Sequence, residues 1–354
     1  MAFVGPGQIG VYGVAYDVRA WGKHHPGGEV LVRVCEGTDA TALFESTHVD
    51  GAAALAALRK LPCVGTYEPS VTYDYATYRV LRESARRAYP TRASRRMAPR
   101  ERAKMYLWLA LAAWCHLALL LLPLEVSKEW LVFCVASALC NTVLGGYGHN
   151  AVHRLEWPAV FLDWNGLSCF EWLFEHVVSH HPHVNTELDH DALSMEPFLR
   201  WLPHRPKGLF GDAQREGAAV HLIYAVGEAV VAAQGCFGHR LRWRAWRWGA
   251  PRWMVGAPLL FVARAASLVA ARGAAFGGLT FLVTLCLASY YFSYLAHQSH
   301  AHVDVRSRDF ARRQLQNTVD IHPRVLPSLF LDRQKLHHLF PAIDHSRLDA
   351  SRLT

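Results

Sequence analysis

Trp172 to Asp191 reads WLFEHVVSHHPHVNTELDHD, a stretch too rich in histidine to be ordinary packing. His176 and His180 are four apart, which places them on one face of a helix, and His181 beside them adds a third nitrogen donor. That is a metal-site spacing. Two smaller clusters lie on either side: His149 and His153 in HNAVH, again four apart, and His337 with His338 in QKLHH, preceded by Gln334.

A lone histidine beside an apolar segment is ordinarily a satisfied interior residue; three clusters of them are not. These seven imidazoles, with no cysteine in any cluster, suit a borderline metal such as iron. A single tetrahedral zinc needs only four ligands. Seven donors therefore predict two metals, and an all-nitrogen two-iron site points to oxygen chemistry.

The chain has 354 residues, and its apolar content of 52% is above the usual range for a soluble domain. The excess gathers in blocks near 104–123, 129–148, 217–238, 254–271 and 275–296, several long enough to cross about 30 Å of hydrocarbon. The formal net charge is +8, and nine Lys/Arg against two Glu lie between Arg82 and Lys104. Because this run immediately precedes the first apolar block, it reads as a cytosolic anchor to anionic lipid headgroups and not as a nucleic-acid patch. The eight cysteines include no CxxC pair, and Cys115, Cys134, Cys140 and Cys286 fall in apolar blocks, as reduced buried thiols do. MAFVGPGQIGVYG has neither the charged region nor the unbroken apolar core of a secretory signal.

Residues 8–68 form a separate unit. After an alternating stretch from Val11 to Val18 come Trp21 and His25-Pro26-Gly27-Gly28, a restricted turn able to hold one imidazole in a fixed direction. His48 follows 23 residues after His25, with Leu43 and Phe44 lining an apolar slot. HPGG followed at this interval by a second histidine resembles cytochrome b5, as do VYGVAYDVRAW and GTDATALF around it. The resemblance implies that His25 and His48 are the two axial ligands of a b-type haem, which then has no open position and passes electrons. Residues 69–103 read as a basic linker, with TYRVLRESARRAY as an amphipathic helix on the membrane that lets the head swing toward its electron acceptor.

In residues 104–354 the first two apolar blocks form a hairpin that returns the chain to the side of the linker. The third histidine cluster joins the others only if two of the three later blocks cross. Five Arg between His239 and Arg252 favour the last two, although Arg264 then lies within the membrane at a cost of roughly 2.5–3.5 kcal/mol. The three clusters in this setting resemble the membrane fatty-acid desaturase superfamily. QKLHHLFP and HHPHVNTELDHD are similar to the endings of its histidine boxes, and glutamine at the head of the third box is similar to its front-end branch, which carries a fused cytochrome b5 domain.

The resemblance implies a multi-domain protein: a small α+β cytochrome b5-like head, then an all-α transmembrane body of about four spanning helices plus interfacial ones. It implies two iron ions held by His149, His153, His176, His180, His181, Gln334, His337 and His338, with one further ligand in the apolar segment before the third box. The interval to Phe310 points to His297, with His300 and His302 as neighbours. Asn185, Asp189 and Asp191 are placed either to orient imidazole N–H groups or, as an Asp/Asn cluster, to cap a helix. The implied activity is oxygen-dependent desaturation of a fatty-acyl lipid, either acyl-CoA or phospholipid, at the cytosolic face of the endoplasmic reticulum. Electrons come from an NADH-cytochrome b5 reductase. Alternatives are a sphingolipid long-chain-base desaturase or hydroxylase, and a non-catalytic membrane-tethered electron carrier. Thirteen residues follow Pro341, which leaves open whether protein closes the substrate tunnel.

Overall fold

The computed structural model describes residues 4–69, 71–194, 217, 220–227, 247–300 and 306–353. The head contains a three-stranded antiparallel sheet in the order β1 (Gln8–Val11), β2 (Val14–Asp17), β3 (Cys63–Thr66). Tyr12 and Gly13, both at positive φ (53° and 78°), make the two-residue loop that pairs Val11 with Val14, as a right-twisted hairpin requires. Three short helices, α1 (Glu29–Val34), α2 (Thr41–Thr47) and α3 (Gly51–Leu58), complete the unit. Asp39 steadies the entry to α2, accepting from both the amide and the hydroxyl of Thr41.

The linker helix, expected as a basic amphipathic helix, packs one side against the rest of the protein. This helix, α4 (Ala76–Ala88), buries Tyr78 and Ala85. The Tyr78 hydroxyl donates to Ser46 O of the head at 3.2 Å and to Leu339 O of the body at 3.0 Å. Glu45, fully buried at the side chain, receives Arg79 and Arg82. The segment before the helix pairs with the body too, Phe310 N donating to Asp74 O at 2.9 Å. In this arrangement α4 is a strut between head and body.

Among the described residues, the body has two helical hairpins long and apolar enough to cross a membrane. The first is α5 (Pro99–Leu121) with α6 (Lys128–Val152). The second pairs the segment Arg252–Arg272, whose main helix is α9 (Pro258–Arg272), with α10 (Ala274–His300). Between them run α7 (Val160–Trp164) and α8 (Cys169–Trp172). Both of the last two apolar blocks thus form helices long enough to cross; the block near 217–238 lies mostly outside the described residues. Each hairpin's second helix ends in histidines, so both deliver them to the end where the linker enters. Arg264 is buried on α9 with its guanidinium over the rings of Trp164, Phe261 and Phe281 at 5.2–5.7 Å, a cation–π setting that offsets its desolvation.

Helix α6 sits at the centre, buried on every side from Cys140 to Val152. Its GGYGHN run makes this possible. A Cβ at Gly148 would meet Leu162 N at 2.9 Å, and one at Gly146 would meet Leu329 O at 3.1 Å. The end of α6 packs into a core shared with the head, in which Val30, Val34 and Ala40 join Ala151, Val152 and Leu162.

Candidate metal centre and haem pocket

Box two departs from the α-helical geometry its spacing suggested. Leu173–His180 is π-helical, bonding i to i+5. The wider turn brings both the fourth and fifth residues after His176 back near its face, so His180 and His181 both reach inward. Around them arrive His149 from the last turn of α6, His153 just beyond it, His300 from the end of α10, and His337 and His338 from α12 (Gln334–Leu339).

They sort into two groups. Ligand nitrogens of His149, His153, His176, His181 and His337 all lie within 4.8 Å of one another, and so do those of His180, His300 and His338. The rings of His181 and His338 stack between the groups, centroids 4.2 Å apart. Gln334 is buried beside the second group, its Nε2 3.1 Å from His300 Nε2.

His297, the residue first expected here, is not in either group. Its Nδ1 meets the hydroxyl of Tyr224, whereas His300, almost one turn later on α10, faces His180 with centroids 4.6 Å apart. The phase of α10 against the body decides between them. His302 lies outside the described residues.

The imidazoles are held from behind. The Nδ1 of His176 lies 2.8 Å from Asp191, that of His180 3.0 Å from Asp189, and that of His338 3.0 Å from Gln314 Oε1. Such partners fix the ring and turn Nε2 toward the centre. Asn185 plays a different part from the one its sequence neighbourhood suggested. At φ 55° it offers its backbone N–H to Asp189 and its side-chain amide to His300 O, at 2.8 and 3.0 Å, and so braces the acceptor and the helix end. Gln314, on α11 (Phe310–Gln316), carries no sequence signal because its role depends on a contact 24 residues away.

The donor set fits a metal. Both nitrogens of His153 and His337, Nε2 of His180 and His338, and Nδ1 of His181 are buried without a hydrogen-bond partner. Leaving each so costs about 1–3 kcal/mol, which cations shared among them would offset. Burial, then neighbouring charged groups, holds His153, His181, His337 and His338 well below the usual histidine range, in the neutral form that ligates. At His180 burial pulls the same way, but the Asp189 carboxylate outweighs it. A cavity of about 110 Å³ opens beside both groups, walled by His149, His176 and His300 and by Trp172, Phe292 and Ala296.

In the head, the rings of His25 and His48 stand 6.0 Å apart. Their Nδ1 atoms are turned to Gly28 O and Phe44 O at 3.3 and 2.9 Å, leaving each Nε2 for a metal between them. The two line a cavity of about 510 Å³ with Leu31, Leu43 and Phe44, and its lining includes His153 of the first metal group. Bis-histidine geometry in an apolar slot fits a haem.

Comparison with known proteins places these features. The fatty acid desaturase family matches residues 128–352, and the cytochrome b5-like heme/steroid binding domain matches residues 8–68. The chain is similar to the chloroplastic acyl-lipid (7-3)-desaturase of Chlamydomonas reinhardtii, 28% identical over 57% of this chain and 42% of that protein. It is similar to the cytochrome b5-related protein of Drosophila melanogaster, 28% identical over 53% of this chain and 43% of that protein. It is also similar to the acyl-lipid (7-3)-desaturase of Diacronema lutheri, 28% identical over 94% of this chain and 79% of the relative. The first two matches span less than half of those relatives. No solved structure matches the chain.

Proposed function

The chain belongs to the fatty acid desaturase family and carries an N-terminal cytochrome b5-like domain, and on that premise we propose that it is a front-end acyl-lipid desaturase. In this reading it inserts a double bond into the fatty-acyl chain of a membrane lipid. The observation that carries it is the convergence of eight histidines from three sequence boxes and α10 into two adjoining groups, beside an apolar cavity. The names of its relatives, acyl-lipid (7-3)- and (8-3)-desaturases, support the substrate class.

Two iron ions held by the two histidine groups, with a haem on His25 and His48, would supply oxygen-derived oxidising power and electrons delivered singly. The protein's own part is positional. Trp172, Phe292 and Ala296 would lay a methylene pair against the metal groups and keep water away. Asp189, Asp191 and Gln314 would keep the imidazoles aimed at the centre. His153, lining the haem cavity and belonging to the first metal group, would give an electron a way to pass from head to body. An external NADH-dependent reductase would reload the haem. The basic linker favours the cytosolic face of the endoplasmic reticulum for the haem and the metal groups.

Expression in a host that lacks polyunsaturated lipids, followed by mass spectrometry locating double bonds, tests the proposal. New unsaturation that disappears with His180→Ala supports it. Hydroxylated products would redirect it to a hydroxylase, and unsaturated sphingoid bases to a sphingolipid enzyme. Unchanged lipids in a protein with both metals and haem bound would sink it. The likeness to a protein named only cytochrome b5-related keeps a second reading, a membrane-tethered electron carrier. That reading expects His180→Ala to leave lipid composition unchanged.

A further inference from the structure

The slot that holds His25 and His48 is not closed by the head alone. Its wall continues onto Arg92, Arg95 and Arg96, in the linker after α4, and onto Arg154 and Glu156 of the body. The interior is apolar, so the cavity combines an oily floor with a cationic rim.

Not all of that charge is available. Arg154 is committed to Asp344 at 2.6 Å and to Glu156 at 3.2 Å, and Arg96 reaches Glu156 at 3.3 Å. Asp50, also on the rim, caps α3 by accepting from Ala53 N. Among the described residues, Arg95 donates to backbone carbonyls, those of Tyr89 and Pro90 at 2.8 and 3.2 Å. Arg92 is exposed and enters no ion pair among the described residues. Two guanidiniums with no hydrogen-bonded carboxylate among the described residues therefore border the slot, although the Asp50 charge acts on Arg95. A haem is flat and apolar over most of its surface and bears two carboxylates on one edge. Guanidinium is the side chain best shaped to take a carboxylate, through paired N–H donors.

We propose that Arg92 and Arg95 bind the two haem carboxylates, so that the haem site is completed by the linker and the carboxylate edge faces the body. This rests on His25 and His48 being the axial ligands. Because α4, just before these arginines, is bonded to Ser46 and Glu45 on one side and Leu339 on the other, the same contacts that seat the head also complete its cofactor site. Loading with haem should then favour the docked arrangement.

The test titrates full-length apoprotein with haem b and with its dimethyl ester, in which both carboxylates are neutral, following the Soret band. Wild type is expected to bind the diacid about tenfold or more tighter than the ester, the scale of one to two charge-assisted hydrogen bonds. The R92A/R95A variant should lose that preference while keeping a bis-histidine spectrum, and R92K/R95K should regain part of it. A general loss of packing would weaken both porphyrins equally and leave the ratio unmoved. An unchanged ratio in R92A/R95A, or no preference in wild type, overturns the proposal while the axial assignment stands. An unchanged spectrum in H25A/H48A overturns the axial assignment itself, and the proposal with it.

Discussion

Gln314 accepts from the Nδ1 of His338 at 3.0 Å while its own Nε2 donates to the backbone carbonyl of His181 at 2.7 Å. One buried amide thus fixes histidines from two different boxes, and those two rings are the pair that stacks between the metal groups. Gln314→Ala should lower metal affinity roughly 10- to 100-fold, as removal of such supporting partners does. Gln314→Glu keeps the acceptor and loses the donor, so it should fall between. Metal content after dialysis against a graded chelator is the measurement; full retention of both ions in Gln314→Ala would show that His338 needs no such support.

His300 and His297 separate by the same method. His300→Ala removes a nitrogen from the second group and should cost about one metal ion per chain. His297→Ala, which loses the contact to Tyr224 but lies in neither group, should keep both. The reverse result would restore the assignment made from spacing alone.

Why spacing and geometry point to different residues there, and to the same ones at the boxes, is a matter of what a linear pattern contains. Histidines four apart announce a shared face whatever the body looks like, and even the unforeseen π-helical turn of Leu173–His180 preserved their convergence. Choosing between His297 and His300 needs the rotation of α10 against α6, which is set by packing such as the Trp130 to Thr280 hydrogen bond. The linker teaches the same lesson. Tyr78 and Ala85 lie on one side of a basic helix, which tells that something apolar covers them; membrane and protein core satisfy that pattern equally, and only tertiary contacts identify the core. The haem signature was readable because HPGG and His48 sit within one local unit, whereas Arg92 and Arg95 approach it from the linker, outside that unit.

Glu45 holds head to strut. Its carboxylate is inaccessible, with Tyr12, Arg79 and Arg82 around it. Removing it in Glu45→Ala leaves Arg82 poorly solvated, while the half-exposed Arg79 turns to water, so the loss should be about 1–3 kcal/mol, less than for a fully buried pair. Protease sensitivity of the 69–98 segment should rise in parallel. A variant as resistant as wild type would mean that the apolar contacts of Val30 and Val34 seat the head unaided.

In the second hairpin, Gly277 lets α10 cross α9 closely: a Cβ there would lie 2.3 Å from Leu268 O and 2.8 Å from Val269 Cα. Small residues at such crossings are how membrane helices approach each other. Gly277→Val should force the pair apart and cost roughly 1–3 kcal/mol, read as a lower melting temperature in detergent. An unchanged melting temperature would mean the crossing is not close.

Ala296 offers the most direct test of where the acyl chain lies. It faces the small cavity beside the metal groups from one turn before His300, with Phe292 a further turn back. Since the space is about 110 Å³, a benzyl group at this position would occupy most of it. None of the eight converging histidines is altered, so Ala296→Phe should hold both ions at wild-type level while desaturation falls by roughly tenfold or more, or shifts to shorter chains. Product analysis together with metal content distinguishes a blocked cavity from a damaged centre. Should Ala296→Phe make the wild-type products at the wild-type rate, the chain must approach the metals by another side.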